Sequence, residues 1–127
     1  MRGSVDWQTA ELVKVIFVEG ANKEERVDPV HQHFQCIASY KTMETYRSVW
    51  KNFGHYLKEY WQIKDFEQIS SEQIEAYFLY KIEYYPSKQY LEKISAALGK
   101  LETALKRYTL QKYGEIKDYD FKVRQIQ

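Results

Sequence analysis

The segment SKQYLEKISAALGKLETALKRYTLQKY, residues 87–113, is the longest stretch of this chain with unbroken helical periodicity. Its apolar side chains recur every three or four positions, which places them on one face of an α-helix that must be buried against the rest of the protein. Ser87, which follows Pro86, is a typical helix-capping residue, and Gly114 is a typical stop. The apolar positions are Leu91, Ile94, Leu98, Leu101, Leu105 and Tyr108.

Long polar side chains surround this apolar face, and they either solvate the helix or contact a polyanion. The composition does not decide between these roles, because 19 Lys and Arg residues oppose 18 Asp and Glu residues and leave a formal charge of +1. Any site for a nucleic acid or an acidic membrane must therefore come from an uneven distribution of charge. The polar residues are Lys88, Gln89, Lys93, Lys100, Lys106, Arg107 and Lys112.

The chain has 127 residues, which fits a single domain that buries about two-thirds of its unfolded surface. The single cysteine, Cys36, excludes an internal disulfide and fits a reducing compartment, so we expect a cytoplasmic protein. The sequence contains no window of about 18 apolar residues and no signal peptide, so neither membrane insertion nor export is expected.

The N-terminal part, residues 1–38, is expected to form one helix and a linker. Residues 1–4, MRGS, resemble an expression-vector remnant and are left out of the fold argument. Residues 6–19 predict a helix capped by Asp6 and ended by Gly20, although the β-branched run LVKVIFV leaves a short strand as the alternative. Residues 20–38 predict a linker with one helical turn, because they are polar and are broken by Pro29.

Two further helices precede the long one. The first begins at Ser39 or Thr42, and the second begins at Ser70, which forms a capping box with Gln73. The chain is therefore predicted to be all-α, a single bundle of four to five helices. Gly99 inside the long helix suggests a close crossing by a neighbour or a slight bend. The expected apolar face of the first helix is Tyr46, Val49, Trp50, Phe53, Tyr56, Leu57 and Tyr60, that of the second is Ile74, Tyr77, Phe78 and Ile82, and further core anchors are Ile63, Phe66, Ile69, Tyr119, Phe121 and Val123.

Residues that commonly carry chemistry do not form a recognisable site in this sequence. His31, His33 and Cys36 could each bind zinc, but a structural zinc site needs four ligands in paired spacings, and His55 lies on a different predicted helix. The five glycines are scattered, which excludes a phosphate-cradling loop, and no serine lies in a nucleophile elbow. We therefore predict no catalytic residue, no metal and no cofactor.

Residues 39–113 resemble the core-binding domain of the tyrosine recombinase, or phage integrase, family. The opening pattern Ser39-x-x-Thr42-x-x-x-Tyr46, followed by Trp50, Phe53 and Leu57, is similar to the family's first helix. Ile69-Ser70-x-x-x-Ile74-x-x-Tyr77 is similar to its middle helix, and Ser87 leading into Ile94-Ser95-Ala96-Ala97-Leu98 is similar to its last. The resemblance implies a SAM-like core-binding domain over residues 39–114, with residues 115–127 as a tail leading toward a catalytic domain.

In that family the first and last of these helices lie across DNA, so the resemblance implies a set of contacts at their starts. Free amides at helix N-termini favour phosphate, which agrees with this placement. Gln89 is the best candidate for reading a base edge, since its amide can pair with adenine. The implied DNA-binding residues are Lys41, Thr42, Thr45, Arg47 and Lys51 from the first helix and Lys88, Gln89 and Lys93 from the last.

Several features depart from the family's pattern. Tyr90 stands where a small hydroxyl residue is common, and Glu44 and Glu92 add negative charge among the implied contacts. The family's DNA cleavage needs a His-x-x-Arg element, whereas His55 is followed at that spacing by Lys58. We therefore expect this chain to be a non-catalytic part of a recombinase whose catalytic domain follows Gln127 and whose partners are double-stranded DNA and other recombinase protomers.

The sequence leaves two functions open. The first is a DNA-binding domain that clamps one side of a recombination site. The alternative is a helical protein-interaction module without DNA binding, in which the aromatic excess of 12 Tyr, 6 Phe and 3 Trp forms a partner surface. Clustering of the lysines on one face would favour the first function, and a large exposed apolar patch would favour the second.

Overall fold

Five α-helices make up most of residues 1–123, the part of the chain that the computed structural model describes. The predicted all-α class is confirmed, since these residues contain no β-strand beyond an isolated bridge between Phe17 and Ile37. No helix in this range is both long and apolar enough to cross a membrane. The helices are α1 (Val5–Ile16), α2 (Lys23–Val27), α3 (Tyr40–Tyr56), α4 (Ser71–Tyr84) and α5 (Lys88–Tyr113).

Helix α5 is the centre of the core, and α1, α3 and α4 pack against it. All six residues of its predicted apolar face are buried, so the interpretation of residues 87–113 is confirmed. Its predicted ends are confirmed as well. The Ser87 side chain accepts a hydrogen bond from the main-chain nitrogen of Tyr90, and Gly114 adopts the left-handed conformation with φ 77°.

Helix α3 buries Trp50 and Phe53 completely against this centre. After Tyr56 the chain continues as a π-helical turn, Leu57–Trp61. A π-turn holds more residues per turn than an α-helix, so it rotates the following side chains away from the α-helical face. Tyr60 is therefore 54% exposed, and its predicted place on the apolar face is wrong.

Helix α1 lies in the same core and contacts both α3 and α5. Its cap lies two residues earlier than the predicted Asp6, because the Ser4 side chain accepts a hydrogen bond from the main-chain nitrogen of Trp7. It also stops at Ile16, after which Phe17 is extended and bridges to Ile37. The predicted cap at Asp6 and end near Gly20 are therefore wrong. Met1, which was not predicted to belong to the fold, is buried.

The connecting segments follow the expected pattern. The linker contains one short helix, α2, and the capping box of Ser70 and Gln73 at the start of α4 is present. Val123 packs partly buried against the core, and residues 124–127 of the predicted tail lie outside the described range. Ile63 is half-buried, and the remaining predicted anchors are fully buried: Phe66, Ile69, Tyr119 and Phe121.

Of the two alternatives predicted at Gly99, a close crossing or a slight bend, the close crossing is wrong, and a close approach occurs instead at Gly54. A Cβ atom added at Gly99 would meet nothing within 4 Å. One added at Gly54 would lie 2.8 Å from Cγ1 of Val5 and 2.9 Å from Cε1 of Phe66. Glycine at position 54 therefore lets α1 and the loop after α3 pack directly against the α3 backbone.

Candidate nucleic-acid interface

The start of α3 faces a cavity of about 220 Å³. Ser39 caps the helix by accepting a hydrogen bond from the main-chain nitrogen of Thr42, at 3.4 Å. Thr42 lines the cavity, whereas Lys41 is exposed and Thr45 is half-buried. The free amides of this first turn carry the positive end of the helix dipole, as expected for a surface that can hold an anion.

Three cations from other parts of the chain gather beside this helix start, and we call Arg26, Lys100 and Arg107 the cationic cluster. Arg26 and Lys100 line the cavity at the start of α3, together with Cys36. Lys100 donates a hydrogen bond of 2.7 Å to the carbonyl oxygen of Gln35, and Arg107 donates one of 3.1 Å to Sγ of Cys36. The linker and α5 thereby bring the cluster together.

Within the described part of the chain, the cationic cluster has no carboxylate partner. None of its members forms an ion pair with a carboxylate within residues 1–123. Nε of Arg26 is buried and has no hydrogen-bond partner in the same range. Burial, together with the neighbouring charges of Arg107 and Arg26, lowers the pKa of Lys100 below its usual value. Unbalanced positive charge of this kind favours a bound anion.

Arg47 and Lys51, the two implied phosphate contacts further along α3, lie against the start of α1. The Arg47 guanidinium donates to Oγ1 of Thr9 at 3.1 Å and to the carbonyl oxygen of Asp6 at 3.0 Å. Nζ of Lys51 lies 2.8 Å from Oδ1 of Asp6, and Nη2 of Arg47 lies 3.3 Å from the same atom. Their charges are thus partly neutralised by Asp6 and help to hold α1 on α3.

The start of α5 carries the other implied contacts. Lys88, Gln89 and Lys93 are all exposed there. Lys88 lies 4.0 Å from a carboxylate oxygen of Glu92, at the limit of an ion pair, and Nζ of Lys93 lies 5.5 Å from the ring centre of Tyr90. Exposed pairs of this kind contribute little stability, so these side chains are available to a ligand.

Lys81 of α4 lies beside the start of α5. It lines a groove together with Ser87 and Tyr90, and its side chain is buried. The sequence contained a signal for this position, because Lys81 follows Ile74 by seven residues and Tyr77 by four and so falls on the apolar face of α4. A lysine on a buried face is unusual and is a candidate functional residue.

The two helix starts lie apart from each other. The start of α3 is beside Lys100, 12 residues into α5, and the start of α5 is beside Asn52, 12 residues into α3. Twelve helical residues correspond to about 18 Å. The structure therefore groups Thr42 with the cationic cluster and groups Lys88 and Gln89 with Lys81, as two separate positive regions.

The histidines of the linker are close to an acidic residue. Potential ligand atoms of Glu25, His31 and His33 lie within 4.8 Å of one another. Nδ1 of His33 lies 2.7 Å from Oε2 of Glu25, and this hydrogen bond, with the charges of the histidines, lowers the pKa of Glu25. Cys36, considered with the histidines from the sequence, is instead buried against Arg107.

No protein-family model, no curated protein and no solved structure matches this chain significantly. The resemblance to the core-binding domain therefore rests on the capping residues and helical faces quoted above. The two positive regions at the helix starts are the features of the described residues that bear most directly on function.

Proposed function

We propose that this chain is a DNA-binding domain of the SAM-like core-binding type and that it contacts duplex DNA through the starts of α3 and α5. In a full-length recombinase such a domain would hold one side of the recombination site beside other protomers. The chain itself would bind DNA without cleaving it. The observation that carries this proposal is the cationic cluster, which pairs with no carboxylate of residues 1–123 and lies beside the free amides of α3.

Phosphate is the part of DNA that the start of α3 can hold. A phosphate oxygen at the start of α3 would accept hydrogen bonds from the main-chain amides and from Thr42, and it would lie near Arg26 and Lys100. It would also balance the charges of Arg107 and Arg26, which add to burial in lowering the pKa of Lys100. Lys88 and Gln89 offer donors of the same kind at the start of α5, and Gln89 is exposed enough to reach a base edge.

The two regions do not form the single lysine face that would favour DNA binding most directly, but their spacing fits the width of a DNA groove. The major groove of DNA is about 12 Å wide. Helix starts separated by about 18 Å along the helix axes can contact phosphates on the two sides of such a groove. The formal charge of +1 indicates modest overall attraction, so binding should depend on these local regions and be strongest at low salt.

The test is a fluorescence anisotropy titration with labelled duplex DNA at several salt concentrations. We expect the logarithm of the affinity to fall linearly with the logarithm of the salt concentration, with a slope of about −0.9 per neutralised phosphate. Lys100→Gln should weaken binding and reduce the slope by about one phosphate contact. Absence of salt-sensitive binding even at low ionic strength would overturn the proposal.

Lys64→Gln is the matched control for this charge change. Lys64 is exposed. In the segment that follows it, residues 65–68, Phe66 lies beside Gly54 near the end of α3. In the same segment, Glu67 accepts a hydrogen bond from Tyr113 at the end of α5. Lys64 lines neither the cavity at the start of α3 nor the groove at the start of α5. An equal loss of affinity in the Lys64 and Lys100 variants would show that the cationic cluster makes no particular contact.

One observation favours protein interaction as a second function. Tyr60 and Tyr84 are 54% and 60% exposed, and Tyr80 lies between them with ring centres 5.8 Å and 5.1 Å away. Leu79 on the same helix is 51% exposed. Exposed aromatic surfaces of this kind commonly bind other proteins. Concentration-dependent self-association in sedimentation equilibrium, abolished by Tyr84→Ser, would support it.

A further inference from the structure

The groove at the start of α5 has a volume of about 460 Å³, and we call it the tyrosine groove. It lies between the end of α4, the start of α5 and the middle of α3. We propose that it binds a nucleoside monophosphate, with the phosphate on Lys81 and the start of α5 and the base against the exposed tyrosine ring. This ligand is additional to the duplex DNA proposed above. The residues that line the groove are Asn52, Lys81, Tyr85, Pro86, Ser87 and Tyr90.

Lys81 supplies the positive charge. Its side chain is buried, with 5% of the residue exposed, and it has no carboxylate partner within residues 1–123. Cation–π attraction stabilises the ammonium in part but leaves its charge unneutralised. An anion in the groove would neutralise the charge of the Lys81 ammonium. Nζ lies 4.7–5.7 Å from the ring centres of Tyr85, Tyr77, Tyr80 and Tyr90.

Neutral donors surround this charge. The first main-chain hydrogen bond of the α-helical type in α5 is from Leu91 to Ser87, so the amides of Lys88 and Gln89 precede it and are free for a ligand. The Tyr77 hydroxyl donates to Oδ1 of Asn52 at 2.5 Å, which leaves the NH2 group of Asn52 for the groove. An ammonium, an amide and two helix N–H groups match the oxygens of a phosphate.

The aromatic rings determine what is attached to the phosphate. Tyr85 is 51% exposed, and its ring meets that of Tyr90 edge-on, with centres 5.7 Å apart and an angle of 64°. The exposed half of Tyr85 therefore offers aromatic surface to a flat ligand. Bases stack on exposed tyrosines irrespective of their identity. Among residues 1–123, no carboxylate lines the groove to repel the phosphate. A phosphate joined to a base is the ligand that matches both the donors around Lys81 and the tyrosine rings.

The experiment is a 1H–15N NMR titration of the whole chain with dTMP. We expect shifts in the main-chain amides of Lys88 and Gln89 and in the side-chain NH2 of Asn52. Inorganic phosphate and thymidine, each tested alone, should bind at least about tenfold more weakly than dTMP, since each lacks one half of the contacts. Equal binding of inorganic phosphate and dTMP would overturn the role of the tyrosines.

Lys81→Met tests the charge while keeping a side chain of similar length in the buried position. We expect dTMP binding to weaken about tenfold or more, because a charge-assisted hydrogen bond is lost. Lys64→Met is the control and should bind dTMP as the parent does. Unchanged dTMP binding in a folded Lys81→Met variant would overturn the proposal, and so would the absence of shifts in the parent protein.

A second variant and a second ligand test whether the groove binds a free nucleotide. If Lys81→Met does not fold by circular dichroism, Asn52→Ala, at an exposed position, takes its place and should weaken dTMP binding. A short single-stranded oligothymidylate tests the source of the nucleotide, and binding of that strand without binding of dTMP would overturn the free nucleotide as ligand. Duplex titrations of the Lys100 variant report on the proposed DNA-binding function independently.

Discussion

The indole nitrogen of Trp50 on α3 donates a hydrogen bond of 2.7 Å to the main-chain carbonyl oxygen of Ala97 on α5. Both residues are fully buried. The bond therefore joins the two principal helices inside the core, and its polar atoms are satisfied there as buried polar groups require. It also fixes which part of α3 lies against α5, and hence where the two helix starts are placed.

Replacing Trp50 should be among the most destabilising single changes in this chain. Trp50→Ala leaves a large cavity and is expected to cost roughly 3–5 kcal/mol of unfolding free energy, measured by urea denaturation. Trp50→Phe retains much of the apolar volume but loses the hydrogen bond, so an intermediate cost is expected. Trp7→Phe, at a site 43% exposed, is the control. A near-neutral Trp50→Ala variant would contradict this description of the core.

The two internal helical glycines should respond in opposite directions to alanine. Gly54→Ala would force a methyl group against Val5 and Phe66, which are both buried, and overpacking of this kind costs about 1–3 kcal/mol. Gly99→Ala meets no neighbour and should stabilise α5 by up to about 1 kcal/mol through helix propensity. The denaturation midpoints of the two variants and the parent measure this difference. A midpoint for Gly54→Ala at or above the parent's would contradict the predicted overpacking at position 54.

Local patterns were sufficient for much of the fold. The capping box of Ser70 and Gln73 and the cap at Ser87 depend on residues three positions apart, and both were predicted correctly. The exposure of Tyr60 was missed because a π-turn leaves no mark in the spacing of apolar residues. A close approach was considered at Gly99 and not at Gly54, because the tertiary fold brings the partners of Gly54 to it.

In the positive regions, too, only the features that depend on local spacing could be predicted from the sequence. The α-helical period places Lys81 on the buried face of α4, so its burial could have been read from the sequence. The cationic cluster combines one residue of the linker, Arg26, with Lys100 and Arg107 of α5. No spacing in the sequence relates the linker to that helix. Likewise, the ion pairs of Arg47 and Lys51 with Asp6 required α1 to pack on α3.

Asp6 should make stability depend on pH. Its hydrogen bond and ion pair with Lys51, helped by the charge of Arg47, lower its pKa from the ordinary value of 3.8. A carboxyl whose pKa is lower in the folded state stabilises the fold above its unfolded pKa, and this contribution is lost as the pH falls through the folded pKa. Asp6→Asn should therefore be less stable than the parent at pH 6, and the difference should shrink below pH 3.8. Thermal melts across this range measure it, and a difference that stays constant with pH would exclude the carboxylate as its source.

The same substitution should alter DNA binding, because Asp6 neutralises two of the implied phosphate contacts. In Asp6→Asn the ammonium of Lys51 and the guanidinium of Arg47 lose their carboxylate partner and become available to phosphate. If both then contact DNA, affinity at low salt should rise, and the log–log salt slope should steepen by up to about two contacts of 0.9 each. Asp118→Asn changes the net charge equally at an exposed position in the tail and serves as the control. Matching slopes for the two variants would mean that Arg47 and Lys51 hold α1 in place without touching DNA.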